Sequence, residues 1–113
     1  MSNIKIFRAN RGEGKTKWLV ERAKECADAG RKLYYVGNTL SFDSVKRVYE
    51  AMYHEICPIK HNRNGSINDV TRDDCFFTDE LIDNTRVVVE FKPFIVENGC
   101  EWYVTMSKED FVN

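Results

Sequence analysis

Two clusters in this sequence combine residue types at spacings that could do chemistry: Gly14-Lys15-Thr16 near the start, and Asp79-Glu80 well downstream. Residues 4–16 read as an apolar strand running into a glycine-containing turn. A phosphate-binding loop has the pattern Gly-x-x-x-x-Gly-Lys-[Ser/Thr]. Here Gly14, Lys15 and Thr16 are in register and Ala9 stands where the first glycine belongs. Such a loop wraps backbone N–H groups around phosphates, which demands unusual φ/ψ values and little side-chain bulk, and Gly12 and Gly14 meet that demand. Lys15 would reach the terminal phosphates and Thr16 would offer its hydroxyl to Mg2+. A helix starting at this point adds unpaired N–H groups and a positive dipole end. The competing reading is an ordinary strand-turn-helix junction in which Gly-Lys-Thr is accidental.

Asp79 and Glu80 follow a short, mostly apolar run over residues 74–78. An aspartate at the tip of a buried strand, beside the strand that bears a phosphate loop, is placed to join a Mg2+ shell. The glutamate after it is placed to polarise an attacking water as general base. Taken alone, the pair also fits two acidic residues capping a following helix over 81–84.

The elements that must position these clusters follow from periodicity. Residues 15–29 carry Trp18, Leu19, Ala23, Cys26 and Ala27 at helical spacing, with Gly30 as the cap. Residues 32–36 form a second strand, and strand, loop, helix and strand make a right-handed β-α-β unit with the first two strands parallel. Ser41 or Asp43 caps a second helix reaching about residue 56, with Val45, Val48, Tyr49, Met52 and Tyr53 on one face, and Pro58 stops it. Residues 57–72 are polar and aperiodic, which predicts a mobile surface loop. Residues 86–91 are valine-rich and read as a strand interrupted by Pro93. Residues 94–97 and 100–106 flank Asn98-Gly99, the signature of a two-residue hairpin turn. Residues 108–113 read as a tail or a short helical turn. The expected fold is α/β: one domain over 1–113, a small three-layer sheet of parallel strands with a C-terminal antiparallel hairpin.

The whole chain sets bounds. With 113 residues, it is large enough for a core but small for a nucleotide-hydrolysing enzyme. Its 17 basic and 18 acidic side chains leave a formal charge of −1, no global reason to expect nucleic acid or an anionic membrane as partner. Lys60, His61, Arg63 and Arg72 are a local exception that could touch nucleic acid. No apolar run approaches a membrane span and the N-terminus lacks a signal peptide's apolar segment, so a cytoplasmic protein is expected. Cys26, Cys57, Cys75 and Cys100 are scattered and read as free thiols. A zinc site would have to combine His54, Cys57, His61 and Cys75, whose spacing fits no zinc pattern.

With both motifs in order on alternating strands and helices, the chain resembles the P-loop NTPases. Residues 76–80 (Phe-Phe-Thr-Asp-Glu) look like the Walker B strand of the branch that sets a catalytic glutamate beside the Mg2+-binding aspartate, which includes RecA-like motors, helicases and viral packaging terminases. Residues 11–16 (Arg-Gly-Glu-Gly-Lys-Thr) are similar to the Walker A loops of phage terminases and other phage ATPases, which implies a viral origin and the host cytoplasm. The resemblance implies ATP bound with Mg2+ and a hydrolase activity. It assigns Asn10, Arg11, Gly12, Glu13, Gly14, Lys15 and Thr16 to the nucleotide, Thr16 and Asp79 to the metal, and Glu80 with Lys15 to catalysis. A polar residue on a strand beside Walker B senses the γ-phosphate in this family, and Thr105 is the candidate. The chain departs from the family at Ala9 and in its short C-terminal part, and no arginine finger is assignable. A protein partner or a second copy would then supply an arginine in trans. Two relatives compete: Ser107-Lys108-Glu109-Asp110 looks a little like the guanine-reading element of GTPases, and small nucleoside kinases share a Gly-Lys-Thr loop with an Asp-Glu strand. The alternative from another class is a non-enzymatic module, a shortened P-loop fold that works by contacting a host or viral machine.

Overall fold

The computed structural model describes residues 3–10, 12–61, 71–81 and 85–108. In chain order these form β1 (Ile4–Ala9), α1 (Lys15–Asp28), β2 (Leu33–Tyr35), α2 (Thr39–Tyr53), β3 (Ile59–His61), β4 (Cys75–Thr78), α3 (Thr85–Glu97) and β5 (Glu101–Ser107). The strands make one sheet in the order β1-β5-β4-β2-β3, and every neighbouring pair is parallel.

Parallel neighbours cannot be joined by tight turns, so each connection crosses over one face of the sheet. The links from β1 to β2 and from β2 to β3 step in one direction across the sheet, whereas β4 to β5 steps back. Right-handed crossovers therefore put α1 and α2 on one face and α3 on the other. Alternation along the strands matches this layering. Leu33, Tyr35, Cys75, Phe77 and Tyr103 pack with Leu19, Val20 and Ala23 of α1 and Val45 and Tyr49 of α2. Val36, Phe76, Trp102, Val104 and Met106 pack on the other side with Ile95 of α3. The α/β class, the three layers and the parallel strands expected from the sequence are all present.

The C-terminal antiparallel hairpin is not. Residues 86–91 and 94–97, read as strands, lie in α3, with Pro93 inside the helix. The valine run has strand propensity, but joining adjacent parallel strands β4 and β5 requires a crossover, and tertiary demand overrides propensity. Asn98-Gly99 does hold a positive φ, 69° at Gly99, but as a helix terminus. Gly99 N–H donates to the Val96 carbonyl (3.1 Å) and Cys100 N–H to that of Ile95 (3.2 Å), the paired bonds of a Schellman cap. Gly30 closes α1 in the same way, with bonds to the carbonyls of Ala27 and, from Arg31, Cys26.

Three smaller corrections bear on the site. The loop expected over 57–72 contains β3 and the buried Cys57, while 62–70 lies outside the described residues. β3 is only three residues long, too short to show a period. α2 starts earlier than expected: Asn38 is its cap, accepting a bond from Ser41 N–H at 2.7 Å, and the helix ends at Tyr53. β4 is not next to β1, because β5 lies between them. No helix among the described residues is long and apolar enough to cross a membrane.

Phe77 is fully buried on the α1/α2 face and stacks on Tyr103 with ring centres 5.4 Å apart. Phe77→Ala is expected to destabilise the fold by about 3–5 kcal/mol through lost burial and a residual cavity, measured as a lower urea midpoint.

Candidate functional site

Because all five strands run the same way, their carboxyl ends share one edge, where open α/β sheets bind ligands. β1 delivers the glycine-containing loop there, and β4 delivers Asp79-Glu80. The loop needs left-handed backbone at Gly12 (φ 83°) and Gly14 (φ 82°). Space is open around both Cα atoms, so glycine is set there by conformation and not by crowding. Gly14 is the N-cap of α1 and provides no side-chain cap, which leaves the first-turn amides facing the loop. Glu13 turns its carboxylate back to accept from Asn10 N–H, while its own N–H donates to the Asn10 carbonyl (3.1 Å), closing the turn. Glu13 thus braces the loop. Arg11 lies outside the described residues.

From the start of α1, Lys15 and Thr16 reach across β5 to the tip of β4. Thr16 Oγ1 donates to Asp79 Oδ2 at 2.7 Å, joining residues 63 positions apart. Lys15 is 5% exposed, and its Nζ lies 3.3 Å from Glu80 Oε1. Gly12, Gly14, Lys15, Thr16 and Glu80, with Val48 of α2, border a cavity of about 330 Å3.

Asp79 is 4% exposed, and its burial is compensated by several polar partners. Thr105, on the same face of β5, donates its hydroxyl to Asp79 Oδ1. Its oxygen also accepts from Glu80 N–H at 2.8 Å, so one hydroxyl ties both acidic residues to β5. Glu80 has φ 54°, a left-handed conformation that a non-glycine residue adopts only where surroundings impose it. Ser107 Oγ donates to Glu80 Oε2 at 3.3 Å. From β2, the Tyr35 hydroxyl accepts from Asp79 N–H at 3.0 Å and bonds Ser41 Oγ, which donates to the Asp79 carbonyl at 3.3 Å. Burial pushes the Tyr35 phenol well above its ordinary range, so it stays protonated.

Lys15, Thr16, Asp79, Glu80 and Thr105 are thus brought into one connected group. Tyr35, Ser41 and Ser107 belong to it as well, and nothing in their local sequence marks them out. Tyr35 reads as an ordinary strand aromatic, and Ser107 as the first residue of a guanine-reading element. Glu109 and Asp110 of that element lie outside the described residues. The residues considered for zinc are not gathered: Cys75 contacts Cys26, and His61 Nε2 contacts the Gly37 carbonyl at 2.7 Å. No cluster of three or more His, Cys, Asp or Glu suited to a metal occurs among the described residues. Lys60 and Arg72 are exposed, and Arg63 lies outside the described residues. A larger hollow of about 510 Å3 lies at the opposite edge of the sheet. Its Arg31 is already engaged with the Asp73 carbonyl (2.8 Å) and Glu101 (3.4 Å). Set against known proteins, the chain matches no family model, no curated protein and no solved structure.

Tyr35→Phe removes the acceptor that Tyr35 offers to the buried Asp79 amide and is expected to cost about 1–3 kcal/mol in urea unfolding. Amide exchange at Asp79 should rise in the same variant.

Proposed function

We propose that this chain is a small P-loop-type protein that binds ATP with Mg2+ at the carboxyl edge of its sheet and hydrolyses it. The observation that supports this best is the meeting of Thr16 with Asp79 at 2.7 Å, with Lys15 and Glu80 paired beside them on the same cavity. A hydroxyl and a carboxylate oxygen side by side are hard donors suited to Mg2+, which takes few protein ligands and completes its shell with phosphate oxygens and water. When bound, that ion would neutralise charge on the phosphates. The chain's own residues carry the rest of the reading. The uncapped amides at the start of α1 and the loop N–H groups bind phosphate oxygens. Lys15 turns from Glu80 to the terminal phosphates. Glu80, released from that ion pair, accepts a proton from the attacking water. Thr105, bonded to both acidic residues, would couple a change at one of them to the other.

No arginine borders the cavity among the described residues, so efficient turnover would take an arginine from a second copy or a protein partner. The second reading, a nucleotide-binding or protein-binding module without turnover, is favoured by one observation: Glu80 is held by both Lys15 and Ser107.

Calorimetric titration with ATP, GTP and non-hydrolysable analogues in Mg2+ tests the proposal. Lys15→Ala should weaken ATP binding tenfold or more, about 1.4 kcal/mol at the least, with the fold intact. Equal affinity in that variant removes the phosphate site from consideration. Glu80→Gln should retain binding and lose turnover by about 10²–10⁴-fold. Binding without turnover in the wild type, alone and at high protein concentration, selects the module.

A further inference from the structure

A second chemical group lies in the core, remote from the carboxyl edge. Cys26, in the last turns of α1, and Cys75, the first residue of β4, face each other with Sγ atoms 3.0 Å apart, the Cys75 thiol donating. They are 49 positions apart in the chain and both are buried, Cys75 completely and Cys26 at 5% exposure. We propose that Cys26 and Cys75 form an oxidisable dithiol, a site at which peroxide closes a covalent link between α1 and β4.

The surroundings divide the roles. The hydrogen bond from Cys75, with the Arg31 guanidinium nearby, draws the Cys26 thiol below its ordinary range, while the same bond and burial push Cys75 far up. Arg31 is fixed there by its bonds to the Asp73 carbonyl and Glu101. Cys26, which also keeps 5% exposure where Cys75 keeps none, is therefore the attacking sulfur. Its thiolate attacks one oxygen of hydrogen peroxide; the S–O bond forms, the O–O bond breaks, and the departing hydroxide takes up the proton that the Cys26 thiol had released, giving a sulfenic acid and one water. Cys75 then attacks the Cys26 sulfur; the S–S bond forms, the S–O bond breaks, and the hydroxyl leaves with the Cys75 proton as a second water. Peroxide is the two-electron oxidant for both thiols.

The other two cysteines lack this arrangement. Cys100 donates its thiol to the Thr71 carbonyl at 3.0 Å and is pushed up to about 11 by burial. Cys57 is raised by burial as well. Among the described residues neither has a sulfur partner, and no third metal-ligating side chain joins Cys26 and Cys75. The link would tie the helix that opens with Lys15 and Thr16 to the strand that leads to Asp79. Its formation does not depend on nucleotide binding.

The test treats the full chain with hydrogen peroxide, unfolds it in an alkylating agent and maps the peptides. The expected result is the loss of two of the four alkylatable thiols, their recovery with dithiothreitol, and one bridged peptide pair containing Cys26 and Cys75. Cys75→Ser should stop at a sulfenic acid on Cys26 that dimedone traps, and Cys26→Ser should show no bridge. A bridge to Cys57 or Cys100, oxidation of single cysteines without a bridge, or four intact thiols overturns the proposal. The wild-type peptide map decides the question even if a serine variant does not fold.

Discussion

Parallel strand pairing is the constraint on which the rest of this structure depends, because it fixes both where the helices lie and where the chemistry emerges. In register, Ala9 is level with Ser107 and Thr78 with Val104, so β4 ends three residues short of β1 and β5, and Asp79 and Glu80 run on beside Thr105 and Ser107 of β5. A loop from the first strand, two carboxylates from the fourth and two hydroxyls from the fifth thereby converge without any of them being near in sequence. The reversal of direction between the early and late crossovers sends the β1 loop toward one face and the β4 segment toward the other. The loop and the start of α1, with Val48 of α2 and Glu80, border the cavity.

Holding Asp79 nearly out of solvent carries a desolvation cost that the fold offsets with oriented polar groups. Thr16 and Thr105 take the two carboxylate oxygens, and Tyr35 and Ser41 take the main chain. The left-handed turn at Glu80 is held by the same Thr105 hydroxyl. Aligned groups of this kind keep a site in shape before any ligand arrives, since their reorganisation has already been met by folding. Lys15 and Glu80 neutralise each other in the same way, so neither charge is left uncompensated at the edge of the core.

Much of this was legible in the sequence, and the reason differs by element. α1 and the early strands announce themselves by period and by the glycines that bound them. Gly14-Lys15-Thr16 and Asp79-Glu80 can be read because each is a compact string. α3 was obscured because three consecutive valines imitate a strand, although Val87, Val88, Phe91, Phe94 and Ile95 recur in the sequence at a helical period. Asn98-Gly99 signalled a positive φ correctly, but a hairpin and a Schellman cap ask for the same backbone. The strand order was beyond reach, since no local feature tells β5 to enter between β1 and β4. Tyr35, Ser41 and Ser107 owe their place at the site wholly to that order.

β1 stands at the edge of the sheet with β5 as its single strand neighbour. The glycine loop follows β1, yet the strand that gives it its position comes after the other four described strands. During synthesis on a ribosome, β2, β3 and β4 can pair among themselves while β1 waits, and only the emergence of β5 completes the ladder between them. Stacking of Phe7 on Trp18, at 5.1 Å between ring centres, can join β1 to α1 before then, but cannot set the height of the loop against Asp79. The first part of the site to be translated is the last to be placed, so an unfinished chain carries the glycine-loop sequence without its geometry.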